Sequence, residues 1–344
     1  MADTSTYSTI DPELASILAS LPPAPSGADV NATVETRRER YRTGVLPKAK
    51  QNHEPFLPKS DEYTVVDRQI EVAKGVSVTA RCITPTPRDG EDGLFPLIFW
   101  MHGGGWIASD AQMDDYNLRR TSVDLRISVV NFEYRLAPEN PFPTAPNDCF
   151  AGLKYVANHP DLFSASLKKG FIVGGPSAGG NLAAVIAHRA RDDPTDFANK
   201  GTPVTGQLLQ IPCLCHYKAY PEKWKSSLVS MEENKDAPGL NKAAVEFTAG
   251  LYNAPPEDPD MSPLLLSSHK GLPPAFIQVC GLDPLRDEGI VYKKVLEEAG
   301  VPVKLEVYPG VPHIFDVLFP TLKQSAKWIK DFRDGLRWLI SQSA

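Results

Sequence analysis

Apolar residues along this chain follow two spacings, and the order in which they alternate predicts the architecture. Alternation runs through residues 62–71 and 76–83 on either side of Lys74-Gly75, the pattern of two antiparallel strands with one solvated face and a tight turn between them. Pro96-Leu-Ile-Phe-Trp-Met101 and Ile127-Ser-Val-Val-Asn-Phe132 are mostly apolar throughout, as strands buried on both faces are. From there, strand-like runs at 171–175, 204–211, 275–280 and 303–308 alternate with helical stretches at 114–125, 146–158, 182–188, 285–299 and 322–341. Gly300 closes one of these helices, and the last is amphipathic. Such alternation predicts a mostly parallel central sheet with helices on both faces.

Two stretches break the rhythm. Asp11-Pro12 opens a short helix, with Asp as the cap and Pro at the first helical position, and Leu21-Pro-Pro-Ala-Pro25 ends it. Residues 30–41 read as a second, more charged helix, while residues 216–256 are polar, carry Trp and Tyr, and show no strand pattern. Residues 1–55 and 216–256 are therefore expected to form a helical cap over a core made of 56–215 and 257–344. A chain of 344 residues with 42% hydrophobic content can bury a large core, and an α/β fold of this length is commonly one domain.

Charge narrows the partners. With 36 Lys and Arg against 42 Asp and Glu, a net charge of −6 and no basic cluster, no nucleic-acid partner is expected. No apolar run approaches membrane-spanning length. The first residues lack the basic and apolar segments of a secretory signal, so a cytoplasmic location is expected. Five scattered cysteines fit free thiols in a reducing compartment, and Cys213-Leu-Cys215 lacks the spacing and partner ligands of a zinc site. The glycosylation sequon Asn31-Ala-Thr33 is expected to be incidental.

The chemistry is carried by Phe171-Ile-Val-Gly-Gly-Pro-Ser177-Ala-Gly-Gly-Asn181, where an apolar strand runs into Gly-x-Ser-x-Gly and then a helix. A sharp strand-to-helix turn strains the serine backbone and lifts its hydroxyl above the sheet edge, where a carbonyl can reach it. Ligands of open parallel sheets bind at the carboxyl ends of strands, and three further features fall there. His102-Gly103-Gly104-Gly105-Trp106 follows an apolar strand, and its bare N–H groups, with that of Ala178, suit a developing oxyanion. Asp283 ends the strand at 275–280; it suits the acid that orients a histidine, and an N-cap role before Pro284 is compatible with that. Asp287, about one turn further on, reads as structural. His313 follows the last strand, whereas His102 precedes the glycines and is read as their brace, leaving His313 as the general base. The order Ser177, Asp283, His313 is that of α/β-hydrolases.

Further motifs accompany these: Tyr134-Arg-Leu-Ala-Pro-Glu139, Phe142-Pro143, Asp148, Ser262-Pro-Leu264 and Asp283-Pro-Leu-Arg-Asp-Glu-Gly289. Together, from about residue 94 to the end, they resemble the hormone-sensitive-lipase-like family of α/β-hydrolases, which includes carboxylesterases and arylacetamide-deacetylase-like enzymes. The resemblance implies an α/β-hydrolase fold with a helical cap. It also implies a serine hydrolase that cleaves an uncharged, hydrophobic carboxylic ester through an acyl-enzyme, without metal or organic cofactor. One departure stands out: the family usually has Asp before the nucleophile, and Pro176 stands there. The elbow is expected to form, but a carboxylate near the reacting centre is lost. Trp106, Trp224 and Tyr252 are candidate substrate contacts. The alternative is a dehydratase, cyclase or lactonase working on a specialised metabolite with the same site, and a homodimer through the last strand or helix would suit such a sheet edge.

Overall fold

The computed structural model describes residues 4–21 and 33–343. In chain order the elements are α1 (Pro12–Ser20), α2 (Val34–Arg40), α3 (Leu46–His53), β1 (Tyr63–Ala73), β2 (Val76–Pro85), β3 (Leu97–Met101), α4 (Asp115–Leu125), β4 (Ser128–Phe132), α5 (Thr144–Asn158), β5 (Phe171–Pro176), α6 (Ala178–Asp192), β6 (Gly206–Gln210), α7 (Ser230–Glu233), α8 (Lys242–Tyr252), β7 (Ala275–Leu282), α9 (Arg286–Glu298), β8 (Val303–Pro312), α10 (Phe315–Leu318) and α11 (Lys323–Ser341). The strands form one sheet in the order β1-β2-β4-β3-β5-β6-β7-β8. β1 and β2 make the expected hairpin, β2 runs antiparallel to β4, and every pairing from β4 to β8 is parallel.

Side-chain alternation along the central strands builds two cores. Leu97, Phe99 and Met101 of β3 join Val173 and the buried faces of α5, α6 and α9 in the larger one. Ile98 and Trp100 point the other way, with Ile172 and Leu208, onto Leu118 of α4 and Phe332, Leu336 and Leu339 of α11. In α11, Trp328, Phe332, Leu336 and Leu339 recur at the three-to-four-residue spacing that puts them on one helical face. Covering both faces explains why β3 and β4 read as mostly apolar runs.

The structure refines several boundaries. α6 begins at Ala178, immediately after the serine, because the turn feeds the helix without a connecting loop. β7 reaches Leu282 and β8 reaches Pro312, so both deliver their following residues directly to the sheet edge. α3 was not legible as a separate helix: it buries only Leu46, Ala49 and His53 in an otherwise polar stretch. It continues from α2 through a π-helical turn, Tyr41–Val45. Residues 30–32 of the expected second helix, the proline-rich break after Leu21 and Asn31 of the sequon lie outside the described residues.

α1 packs beside β8 and α11. Asp11 caps it by accepting from the N–H groups of Glu13 and Leu14, and its own N–H donates to the Gly310 carbonyl at 3.0 Å. Leu14, wholly buried, packs with Tyr308, Phe315 and Trp328, which fixes α1 beside β8 and α11. α2, the π turn and α3 instead lie across the glycine loop. There Arg38 donates to the carbonyls of Ile107 (2.7 Å) and Ala137 (3.0 Å) and pairs with Glu139 (2.7 Å). Among the described residues, no helix is long and apolar enough to cross a membrane.

Candidate active site

Ser177 sits between β5 and α6 with φ 56° and ψ −118°, a conformation that a non-glycine residue holds only when its surroundings enforce it. The enforcement is backbone packing. A Cβ on Gly179 would lie 2.0 Å from the Met101 carbonyl oxygen, and one on Gly175 would lie 2.2 Å from the same atom. Only glycines let the start of α6 and the end of β5 approach β3 this closely. The Ser177 N–H donates to the Gln210 carbonyl at 2.8 Å, tying the turn to β6. Pro176 pairs with Gln210 at the last β5–β6 register position, so the departure from Asp leaves the turn intact.

The glycine loop lies alongside. Gly104 (φ 115°) accepts at its carbonyl from Ile107 and Ala108, and a Cβ there would meet the Ala108 oxygen at 2.1 Å. A Cβ on Gly103 would stand 3.0 Å from the Pro176 oxygen and 3.6 Å from Cβ of Ser177, so this stretch runs past the serine. His102 braces it: its Nδ1 lies 2.7 Å from the Gly103 carbonyl, and its ring stacks on Tyr134 at 4.4 Å. The Tyr134 hydroxyl in turn donates to the His102 carbonyl (2.9 Å). Burial holds the His102 pKa below the usual histidine range, which suits a neutral ring donating to that carbonyl.

Asp283, 1% exposed, lies just past the end of β7, and its Oδ2 is 2.6 Å from Nδ1 of His313. Its other oxygen accepts from the Leu285 N–H at 2.9 Å, so the cap-like role coexists with the histidine contact. With Nδ1 engaged, Nε2 is the nitrogen His313 has left for Ser177, and both residues line one cavity. Asp287 and Glu288 point away from it. Asp287 accepts from the N–H groups of Val229 and Ser230, and Glu288 from those of Leu214 and Cys215 and from the Tyr220 hydroxyl. They tether residues 214–230 to α9.

The cavity measures about 230 Å³ and is lined by Ser177, Ala178, Gly104, Gly105, Trp106 and His313 from the catalytic edge. Its cover comes from Arg37, Arg40, Tyr41 and Val45 on one side and Leu240, Val245 and Thr248 on the other. α8 rests on the loop itself, since a Cβ on Gly105 would meet Thr248 Cγ2 at 2.8 Å. Trp106 lines the cavity as anticipated, whereas Tyr252 does not. It is fully buried and stacks on Trp106 at 4.4 Å and 2°, so it backs the wall. Trp224 does not line it either. The segment Glu222–Ser227 folds onto α9, where the Trp224 ring lies under the ammonium groups of Lys223 (4.5 Å) and Lys294 (5.9 Å). The sequence did not single out Arg37, Tyr41, Val45 or Thr248; for Arg37 the reason is that Val-Glu-Thr-Arg-Arg-Glu-Arg reads as a solvated helix.

A second, smaller cavity of about 50 Å³ lies behind the serine, bounded by Pro176, Ser177, Gln210, His313, Asp114 and Asp316. Burial pushes the Asp114 carboxyl up to about 6 and the Asp316 carboxyl up to about 7, the nearby Asp114 charge adding to the latter.

Comparison with known proteins assigns the fold and the family. A family profile described as alpha/beta hydrolase fold matches residues 98–317. Esterase LipI of Mycobacterium tuberculosis is 37% identical over 303 residues, covering 86% of this chain and 84% of its own length. Among solved structures, vibralactone cyclase superposes with a TM-score of 0.92 at 43% identity, covering 98% of this chain and 97% of that one. A bacterial heroin esterase superposes with a TM-score of 0.80 at 31% identity, covering 97% and 99%. The chain therefore belongs to the α/β-hydrolases, as a carboxylesterase-type enzyme of their hormone-sensitive-lipase-like family.

Proposed function

We propose that this enzyme cleaves a carboxylic ester of a largely hydrophobic substrate through an acyl-enzyme on Ser177. His313 takes the hydroxyl proton through Nε2, and Asp283 holds the imidazole in the tautomer that leaves Nε2 free and stabilises the imidazolium that forms. The N–H groups of the Gly103–Gly105 stretch and of Ala178 receive the oxyanion. His313 then returns the proton to the leaving alcohol, and water, activated by the same imidazole, releases the acid. The observation that carries this reading is the 2.6 Å Asp283–His313 contact, in one cavity with a serine held at φ 56°. Val45, Trp106, Ile107, Leu240 and Val245 supply apolar lining for the body of the substrate. Residues 33–55 and 216–256 act as the cap.

The likeness to vibralactone cyclase supports a second reading, in which an intramolecular nucleophile replaces water and the product is a ring. The same serine, base and oxyanion donors serve both outcomes.

A series of 4-nitrophenyl esters of increasing acyl length separates these ideas. Ser177→Ala is expected to lower kcat/KM by at least about 10³-fold while the protein stays folded, and the chain-length optimum sizes the cavity. A mutant as active as the native enzyme overturns the hydrolase reading. Mass analysis of a hydroxy-ester substrate then distinguishes hydrolysis, which adds one water, from cyclisation, which expels the alcohol and adds none.

A further inference from the structure

We infer that Arg37 is the recognition point for a carboxylate on the substrate, so that the enzyme prefers esters with a hydrophobic body and one anionic end. This rests on the esterase reading and replaces the uncharged substrate expected from the sequence with a singly charged one.

Among the described residues, the lining of the cavity carries two arginines, Arg37 and Arg40, and no aspartate or glutamate, although the chain as a whole has a net charge of −6. A positive wall in an acidic protein favours a ligand of opposite sign. Arg37 is the sharper of the two. Its guanidinium lies 4.1 Å from the centroid of the Phe247 ring on α8, which fixes its plane against the cover. Its Nε is buried and has no hydrogen-bond acceptor. Among the described residues it makes no ion pair, in contrast to Arg38 beside it, which is committed to Glu139 and two backbone carbonyls. Burial pulls the Arg37 pKa down, and no neighbouring carboxylate offsets that cost. A half-buried guanidinium that is held in place, with a buried Nε lacking an acceptor and with no ion pair, is costly to keep unless something pairs with it. A planar carboxylate matches its fork of donors better than any other anion of similar size. Val45, Leu240 and Val245, in the same lining, suit an alkyl spacer between that carboxylate and the ester carbonyl at Ser177.

The test compares two esters of equal chain length, 4-nitrophenyl hexanoate and the mono-4-nitrophenyl ester of hexanedioic acid, in the native enzyme, Arg37→Gln and Arg37→Lys. The native enzyme is expected to favour the charged ester. Arg37→Gln should lower kcat/KM for it by about 10–100-fold, chiefly through KM, and change the neutral ester less than about threefold. Arg37→Lys should recover part of the preference, because the charge is kept while the fork is lost. An unchanged ratio of the two esters in Arg37→Gln, or a native preference for the neutral one, overturns the proposal. A parallel calorimetric titration of Ser177→Ala with monophenyl hexanedioate reads the same contact without turnover. Binding that is lost with the added Arg37→Gln supports the proposal even if the enzyme proves inert to both esters, which would instead count against the esterase reading. Equal binding with and without Arg37 sinks it.

Discussion

Two regions meet at the catalytic cavity and are held by different physics. The catalytic edge is a property of the sheet. Ser177, the glycine loop, Asp283 and His313 all sit at or just past the carboxyl ends of parallel strands, and their positions follow from backbone packed on backbone. The cover is held by side chains reaching across to the core. Arg38 reaches the Ile107 and Ala137 carbonyls, Asn52 the Val317 carbonyl, and Asn234 the carbonyls of Gly281 and Asp283. From the core side, Asp287 holds Val229 and Ser230. Such tethers can be retuned one at a time without disturbing the sheet. Such a division lets a fold keep one reaction centre while selectivity changes, since selectivity lies where single substitutions are tolerated.

The sharpest way to break the comparison is to strike the catalytic edge where it has no slack. Gly179→Ala places a methyl 2.0 Å from the Met101 carbonyl oxygen and 2.7 Å from that of His102, and both are backbone atoms that no rotamer change can move aside. We expect a loss of at least about 3 kcal/mol of stability and of more than about 10²-fold in esterase activity, because α6 and the turn must shift together. Thermal unfolding and 4-nitrophenyl ester turnover measure both. A variant with native melting temperature and activity shows that the turn is not set by this packing.

The same division explains what the sequence disclosed. Gly175, Gly179, Gly104 and the serine between them were legible because backbone approach and positive φ leave few residue choices. β3 and β4 were legible because burial on both faces forces mostly apolar runs. Asp283 and His313 were legible through their places after strands. The cover was not, and for a physical reason: a helix such as α2 satisfies the core with few apolar residues and presents arginines both to solvent and to the cavity. Nothing in the string Thr-Arg-Arg-Glu-Arg distinguishes Arg38, which pins the cover, from Arg37, which faces the substrate space. Trp224 and Tyr252 misled for the same reason. An aromatic residue in a cap packs inward, outward or behind another ring, and only the tertiary contacts decide which.

An intermediate effect is expected where the two regions touch. Asn234 donates to the carbonyls of Gly281 and Asp283 at 3.1 and 3.0 Å, so the cover steadies the loop that carries the acid. Asn234→Ala removes one donor from each of two carbonyls that keep a second donor from Arg286, at a cost of about 0.5–1.5 kcal/mol for each bond lost. We expect kcat to fall roughly tenfold as Asp283 loses its fixed position, with KM for short esters little changed. Steady-state kinetics on 4-nitrophenyl acetate tests this. A change confined to KM would mean that Asn234 serves the cover alone.

The smallest effect is also the most diagnostic, because it lies under the seam. Asp316 borders the small cavity behind Ser177, and its backbone carbonyl and that of Val317 take up Asn52 of α3. Burial raises its carboxyl from an ordinary 3.8 to about 7, with the Asp114 charge adding to the effect. Between those two values the unfolded chain gives up the proton while the folded one keeps it, so the folded state binds more protons and stability declines as pH rises. Below the lower value both states are protonated and nothing is lost; above the upper one the full cost is present. Asp316→Asn removes the ionisation and keeps the shape. Relative to the native enzyme, the variant should therefore gain in melting temperature from pH 4 to pH 8, by roughly 2 °C or more for each kcal/mol of burial cost relieved. A melting-temperature difference that stays flat across this range would mean that solvent reaches the carboxylate, and hence that the seam between cover and catalytic edge is open rather than sealed. A rising difference would place the proton-linked weak point of the molecule where its two regions join, beside the histidine proposed as the general base.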